Sequence, residues 1–167
     1  DNGIDQIVLD SSLRFFQDKS GEIGTVYAAA LFHGDLYIGT NQGLFYKKYL
    51  DDKSRPFQLI EGSQGQVWDL QVIDNQLIVG HNAGTIQIQG DKLAFLYKGT
   101  GVYTSIRHPS HSNVVLQGSY TGINILRKND VGHWQFAATL GGFSQSSRKL
   151  LFDELFLKQQ SSTYQRS

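Results

Sequence analysis

The chain contains no cysteine and no methionine, and only two of its 167 residues are proline. Without cysteine there can be no disulfide, no zinc site with thiolate ligands and no cysteine nucleophile. Because the chain lacks an initiator methionine, we expect a processed product or a piece of a longer protein, whose signal peptide or membrane anchor would not be visible here. The longest apolar run, Val26 to Phe32, is far too short to cross a bilayer.

An excess of charge of one sign is also missing. Fifteen Lys and Arg residues balance fifteen Asp and Glu residues, so no net field directs the chain to nucleic acid or to an anionic membrane. We therefore predict that this segment binds no nucleic acid and reaches a membrane only through its longer parent. Glycine and aromatic residues are abundant instead. The 18 Gly, 10 Phe, 8 Tyr and 2 Trp residues indicate a sheet protein with many tight turns.

A repeated unit of about 40 residues dominates the sequence. Gly39, Gly80 and Gly118 each open a Gly-x-x-x-Gly turn, and they are separated by 41 and then 38 residues. A four-residue turn between antiparallel strands needs at least one position with positive φ, which glycine adopts without steric cost, and this explains the glycine pair. An aromatic residue precedes the first glycine by 12, 12 and 15 residues in the three copies: Tyr27, Trp68 and Tyr103. Self-similarity at this period, built of short β runs, is the signature of a β-propeller blade.

Each copy divides into four short strands separated by turn residues, which predicts one antiparallel blade per copy. We therefore predict an all-β fold of three complete four-stranded antiparallel β-propeller blades. Their expected limits are about residues 24–62, 63–100 and 101–141.

Partial blades are expected at both ends of the propeller segment, which spans residues 1–154. Leu13–Gln17 resembles the outer strand of a preceding blade, and the partial blade at 142–154 contains Gly142 to Phe152, which resembles an inner strand. Residues 155–167 have no further repeat and are predicted to form an irregular tail. Closed propellers have about four to eight blades, so the segment is expected to form an open arc.

An open arc leaves edge strands at both ends. Exposed edges present unpaired N–H and C=O groups that pair with other chains. Neither predicted edge contains a proline, and the second is apolar at Leu150, Leu151 and Phe152. We therefore expect the segment to self-associate through its open blade edges.

Few residues point to catalysis or to a bound metal. His108 and His111 flank Pro109, but no third ligand is near in the sequence, so we interpret them as an exposed turn and predict no metal site. Asp69 and Glu61 leave open the carboxylate pair of a glycoside-processing enzyme, although such carboxylates are common on repeat surfaces. No zinc-protease, phosphate-loop or serine-hydrolase motif occurs. We predict no catalytic residue and no cofactor.

One end of the predicted propeller gathers polar and aromatic side chains. The loop entering each inner strand and the turn between the second and third strands project on the same side of a blade. Amide, aromatic and hydroxyl groups suit sugars or peptides, which need stacking and neutral hydrogen bonds. Packing between blades is nevertheless the simpler interpretation of each repeat aromatic taken singly. The predicted ligand-binding residues are Asn41, Gln42, Gln66, Trp68, His81, Asn82, Tyr120, Thr121 and Arg148, with Gln64 beside them.

The stretch from Leu36 to Tyr46 reads Leu-Tyr-Ile-Gly-Thr-Asn-Gln-Gly-Leu-Phe-Tyr and resembles the two-component-regulator propeller repeat, whose core is Trp-Ile-Gly-Thr…Gly-Leu. The likeness covers about Leu13 to Asp153, although the third copy lacks the aromatic residue of the Trp-Ile-Gly core, which would stand two residues before Gly118. Such repeats form the extracytoplasmic sensor of bacterial hybrid histidine kinases and of related membrane-tethered helix-turn-helix regulators.

The resemblance implies a non-enzymatic, ligand-sensing segment of a bacterial signal-transduction regulator. Its location would be periplasmic, as part of a membrane-anchored parent, and its partner would be an oligosaccharide or another small ligand. Two alternatives stay open: a propeller enzyme acting on polysaccharide as a lyase or glycosidase, and a scaffold for protein partners. The enzyme would need clustered carboxylates, histidines or a metal, and the scaffold an exposed apolar patch without a small-ligand cleft.

Overall fold

The structure, a computed structural model, describes residues 21–48, 56–90 and 92–152. Within these ranges the chain contains β-strands and no helix. The predicted outer strand Leu13–Gln17 and the predicted tail 155–167 lie outside them. Since the described part contains no helix, none in it is long and apolar enough to span a membrane.

The strands form three separate four-stranded antiparallel sheets, each a simple meander in chain order. The first sheet consists of β1 (Val26–Phe32), β2 (Asp35–Thr40), β3 (Leu44–Lys48) and β4 (Gln58–Leu59). The second consists of β5 (Val67–Ile73), β6 (Gln76–His81), β7 (Gly84–Gln89) and β8 (Lys92–Lys98). The third consists of β9 (Val102–Arg107), β10 (Val114–Ser119), β11 (Gly122–Lys128) and β12 (Trp134–Thr139). The predicted all-β class with four-stranded blades is confirmed.

The sheets pack side by side as consecutive blades. The first strand of each sheet contacts the first strand of the next, β1 with β5 and β5 with β9. Hydrophobic cores therefore lie between sheets, as propeller architecture requires.

The interface between the first and second sheets is apolar. Val67, Leu77, Val79 and Ile86 are completely buried there. Burying a large aliphatic side chain contributes roughly 1.5–3 kcal/mol, so this interface is a principal source of stability.

The interface between the second and third sheets is partly polar. The Thr85 hydroxyl donates to the Gln117 amide oxygen at 2.7 Å, and the Gln117 amide nitrogen donates to the Ser105 hydroxyl at 2.9 Å. The Ser105 backbone N–H donates to an Asp69 carboxylate oxygen at 2.6 Å. These four residues, here called the polar seam, connect strands of both sheets. They lie beside a small apolar core that includes the buried indole of Trp134.

The two ends of the blades differ in their contacts. The "entry end" is the end at which the first strand of each sheet begins, and the "far end" is opposite. At the far end, Asp74 of the second sheet forms ion pairs with Arg107 and Lys128 of the third. His33 Nε2 lies 2.9 Å from the Asn75 amide oxygen, which joins the first two sheets. Both blade boundaries are thus closed by polar contacts at this end.

The first glycine of each repeated turn permits close approach of the next blade. A Cβ at Gly80 would lie 2.7 Å from the Val102 carbonyl oxygen, and one at Gly39 would lie 3.0 Å from the Val67 carbonyl oxygen. Both distances are too short for an undisturbed Cβ, so a side chain would push the next first strand outwards.

The second glycine of each turn adopts the positive φ that we expected of at least one turn position, and the first does not. Gly84 has φ 131° and Gly122 has φ 142°, whereas Gly80 and Gly118 do not adopt positive φ. The expectation is therefore confirmed at the second glycine, whereas the first glycine is required by packing between blades rather than by backbone conformation.

Residues 142–152 do not form the inner strand that the sequence predicted. Part of the segment nevertheless takes the place where a next blade would begin. The Ser147 N–H donates to the Ser119 carbonyl at 2.9 Å, and the Ser147 carbonyl lies against Gly118 as that of Val102 lies against Gly80. No second strand follows within the described residues to pair with this segment. The segment therefore occupies the position of an inner strand but forms no β-ladder.

Candidate functional site: an aromatic row at the entry end

The entry end brings together the beginnings of first strands, the ends of second strands and the turns that follow them. The pairing of Val67 with His81 and of Val102 with Ser119 places these points side by side. All of the predicted ligand-binding residues belong to this end of the sheets, because each lies in one of these turns or entering loops or, like Trp68 and His81, at the strand end beside one.

Each first strand begins with a β-bulge, and the extra residue is the repeat aromatic. The register of β5 against β6 shifts between Val67 and Asp69, which leaves Trp68 without an opposite residue. The same shift at the beginning of β1 and of β9 leaves out Tyr27 and Tyr103. A bulge bends its strand and redirects the extra side chain. The three aromatic side chains therefore do not follow the alternation between the two faces of the sheet that the other residues of their strands follow.

These three side chains form a continuous row, here called the aromatic row. The ring centroids of Tyr27 and Trp68 are 4.8 Å apart, and those of Trp68 and Tyr103 are 5.5 Å apart. Such separations are typical of favourable aromatic pairs. Tyr27 is 43% exposed, Trp68 and Tyr103 are half-buried, and none of them belongs to either core. The row therefore packs across both blade boundaries, as the simpler interpretation held, but does so at the surface.

Tyr120 and Arg148 extend the row at the third blade. The Trp68 indole N–H donates to the Tyr120 hydroxyl at 2.8 Å, and the Tyr120 ring lies 4.6 Å from the Tyr103 ring. The Arg148 guanidinium lies 5.0 Å from the centre of the Tyr103 ring, a cation–π distance. Because Arg148 follows Ser147, it occupies the place that Trp68 and Tyr103 occupy in their own blades. Trp68, Tyr120 and Arg148 of the prediction are thus brought together.

Asn41, Asn82 and Tyr120 hold equivalent places in the three turns. The backbone N–H of each donates to the carbonyl two residues before the row aromatic of its own blade, at 3.1, 2.9 and 2.9 Å. The Asn41 amide oxygen also accepts a hydrogen bond from the Thr25 N–H at 2.7 Å. These bonds anchor the turns beside the bulges, so the fold uses part of the hydrogen-bonding capacity of Asn41.

The other predicted polar residues line the same end with little direct contact with the row. The Gln66 carbonyl accepts the Asn82 N–H, and the Gln42 carbonyl accepts the N–H of Gly65. Their side-chain amides make no hydrogen bond within the described part of the chain. The exposed predicted residues are Gln42, Asn82, Thr121 and Arg148 with the neighbouring Gln64, and the half-buried ones are Asn41, Gln66, Trp68 and Tyr120.

His81 is buried, so its place in the predicted ligand face needs correction. It is 3% exposed, and its Nδ1 accepts a hydrogen bond from the Ala83 N–H at 3.0 Å. Thr40 and Ser119 occupy the same position in the other turns, and their hydroxyls accept the N–H two residues on in the same way. The His81 imidazole is therefore a structural acceptor within its turn rather than a group that faces a ligand.

Burial lowers the pKa of His81 below the usual value for histidine. The backbones of Ser63 and Gln64 oppose this lowering, but among the described residues Nε2 has no partner with hydrogen-bonding geometry. Since Nδ1 is an acceptor, the neutral ring carries its proton on Nε2. The folded state thus favours neutral His81.

Asp69 and Glu61 are the carboxylate pair that the enzyme interpretation would use, and Asp69 is not a free carboxylate. Both Asp69 oxygens are engaged, one by the Ser105 N–H and the other by the Gln71 amide at 2.8 Å. Burial raises the pKa of Asp69, and these hydrogen bonds act in the opposite direction. Glu61 is exposed. The contacts of Asp69 are those of a residue that joins two blades.

His108 and His111 lie in the turn at the far end and face each other. Their Nδ1 atoms are 3.1 Å apart, and burial followed by the neighbouring His111 lowers the pKa of His108. No group of three or more His, Asp or Glu side chains that could hold a metal occurs among the described residues.

Sequence reasoning placed Trp68 in the ligand face but omitted Tyr27 and Tyr103. Their signal was present in the nearly constant spacing of 12 to 15 residues between the aromatic residue and the repeat glycine. What the spacing did not reveal was the bulge, because a bulge depends on which residues pair across strands. Comparison with known proteins adds no further residue, since no protein-family model, curated protein or solved structure matches the chain.

Proposed function

We propose that this chain is a non-enzymatic recognition segment that binds an oligosaccharide at the aromatic row, within the periplasmic propeller of a bacterial signal-transduction regulator. The observation that carries the proposal is the row itself. Three bulge aromatics from three successive blades form one contiguous, partly exposed surface. Large rings with a polar tip at a wet surface suit a ligand that has both an apolar face and hydroxyl groups.

The chemistry around the row supports the choice of ligand. Besides the Arg148 guanidinium over Tyr103, the exposed groups beside the row are the amides of Gln42, Gln64 and Asn82 and the hydroxyl of Thr121. Neutral amides and hydroxyls donate and accept hydrogen bonds without the cost of desolvating a charge. A few polar groups around an apolar platform is the usual composition of a site for a neutral polar ligand.

The assignment to a signalling regulator comes from the resemblance of Leu36 to Tyr46 to the two-component-regulator repeat. Fold alone does not determine function, so the regulator, its periplasmic location and its output are proposed on that resemblance. The binding chemistry is proposed separately from the aromatic row.

Thermal-shift screening against neutral oligosaccharides, run beside a reducing-end assay, tests this function. We expect at least one oligosaccharide to raise the unfolding temperature without being consumed. Turnover would replace the sensor with an enzyme, and the absence of any stabilising oligosaccharide would contradict the proposed ligand class.

Two matched alanine variants locate the site. Tyr27 is 43% exposed and belongs to the row, whereas Phe143 is 45% exposed and does not. We expect Tyr27→Ala to reduce the stabilisation by the oligosaccharide and Phe143→Ala to leave it unchanged. Equal effects would show that the row is not the site.

A further inference from the structure

A small cavity lies away from the aromatic row, toward the far end, between the first and second sheets. Its volume is about 190 Å³. Pockets for drug-sized ligands measure roughly 300–1,000 Å³, so this cavity admits only a small molecule. Its lining residues are Asp35, Tyr37, Tyr46, Lys48, Ile60 and Gly90.

Four of the lining side chains form a regular patch on one face of β2 and β3. Asp35 is directly opposite Lys48, and Tyr37 is directly opposite Tyr46. Because alternate residues of a strand share a face, the two charges lie side by side next to the two phenols. The Tyr37 and Tyr46 rings are stacked with centroids 5.9 Å apart.

The two charges of the patch do not neutralise each other. Opposite charges at facing cross-strand positions ordinarily attract and pair. Neither Asp35 nor Lys48 forms an ion pair with any residue in the described ranges. A carboxylate and an ammonium group therefore stand at the rim of the cavity, both available to a ligand.

The phenols supply the remaining recognition chemistry. Tyr37 is 5% exposed, and burial, with smaller contributions from Asp35 and Tyr46, raises its pKa. Its hydroxyl therefore stays protonated and can donate a hydrogen bond. The buried side chain of Ile60 adds an apolar wall.

We propose that this cavity binds a small zwitterion of the α-amino-acid class. The ammonium of the ligand would meet Asp35, its carboxylate would meet Lys48, and an apolar side chain would pack on the stacked tyrosines and Ile60. The ammonium and carboxylate groups of an α-amino acid are bonded to the same carbon atom, so the ligand can contact two facing cross-strand residues at once. A neutral sugar would form an ion pair with neither Asp35 nor Lys48, which distinguishes this site from the aromatic row.

The test is a titration of the isotope-labelled full chain with leucine, followed by backbone amide NMR at low salt. We expect saturable shifts at positions 35–37 and 46–48 and none at Trp68 or Tyr120. N-acetyl-leucine lacks the ammonium and leucinamide lacks the carboxylate, so each should bind at least about tenfold more weakly. Absence of shifts at millimolar leucine, or binding of either analogue as tightly as leucine itself, would overturn the proposal.

Charge-removing variants complete the test. Asp35→Asn and Lys48→Gln should each weaken leucine binding by about tenfold or more, since each removes one charged contact. Asp130→Asn and Lys149→Gln remove exposed charges away from the cavity and should change nothing. A spectrum that keeps its dispersion shows that each variant is folded. Retained binding in both cavity variants would refute the assigned roles.

Discussion

The backbone of Gly80 meets the carbonyl oxygen of Val102 so closely that a Cβ on Gly80 would lie 2.7 Å from that oxygen. Gly80 is the penultimate residue of the second strand of one blade, and Val102 begins the first strand of the next. The contact fixes the distance between consecutive blades. It also sets the position of the bulge residue that follows Val102, and so links the glycine of one repeat to the aromatic row.

Replacing this glycine should therefore destabilise the fold. We expect Gly80→Ala to lower the free energy of unfolding by about 1–3 kcal/mol, the usual cost of overpacking a tight contact. Gly141→Ala is the matched control, because a Cβ there meets nothing within 4 Å and φ is not positive. Urea unfolding of both variants checks the expectation. A Gly80→Ala protein as stable as Gly141→Ala would mean that the blades separate without cost.

The buried histidine of the second blade should make stability depend on pH. The pKa of folded His81 lies below that of the unfolded chain, so the unfolded state binds the proton first. Stability should therefore be full above the unfolded pKa of about 6.5 and fall as the pH drops below it, by at most about 1.4 kcal/mol per pH unit.

His81→Thr is the informative variant for this dependence, because Thr40 performs the same turn bond in the first blade. Urea unfolding between about pH 8 and pH 5 should show a smaller loss of stability in the variant than in the parent chain. Identical pH profiles for the two proteins would show that His81 does not titrate differently on folding.

The repeat period was enough to predict the blades, because periodicity, turn glycines and short apolar runs all act locally. It was not enough to predict which residues of a repeat face outwards. Trp68 lies in a bulge and His81 turns inward to cap its own turn, and both outcomes depend on pairing across strands. The predicted inner strand at 142–152 failed for a related reason, since a strand requires a partner ladder as well as apolar residues.

The polar seam should be costly to interrupt. Gln117 is completely buried and bonds the Thr85 hydroxyl on one side and the Ser105 hydroxyl on the other. Gln117→Ala leaves both hydroxyls without their partner, so we expect a loss of about 2–5 kcal/mol from two unsatisfied groups and a cavity. Denaturant unfolding measures it.

Removing both polar members of one bond tests the same point. Because Thr85→Val and Gln117→Leu together leave fewer unmatched donors, the double variant should be less destabilised than the sum of its single variants. Additive losses would mean that the two residues do not act as a unit.

We also propose that the chain self-associates through its open ends. Val26 is 49% exposed, whereas its equivalents Val67 and Val102 are completely buried by a neighbouring blade. Leu31 is 57% exposed on the same first strand. Sedimentation at several concentrations should show a mass that rises with concentration, and Val26→Lys should reduce it. A monomer at every concentration would contradict this proposal.

Ligand binding at the aromatic row is the central claim, and the tryptophan emission tests it most directly. The chain has two tryptophans, Trp68 in the row and Trp134, which is 2% exposed in the small apolar core between the second and third sheets. Trp134→Phe leaves Trp68 as the reporter, and Trp68→Phe leaves Trp134. With an oligosaccharide that stabilises the protein, we predict a saturable change of emission in Trp134→Phe and none in Trp68→Phe. Stabilisation with unchanged Trp68 emission would place the ligand elsewhere and contradict the account.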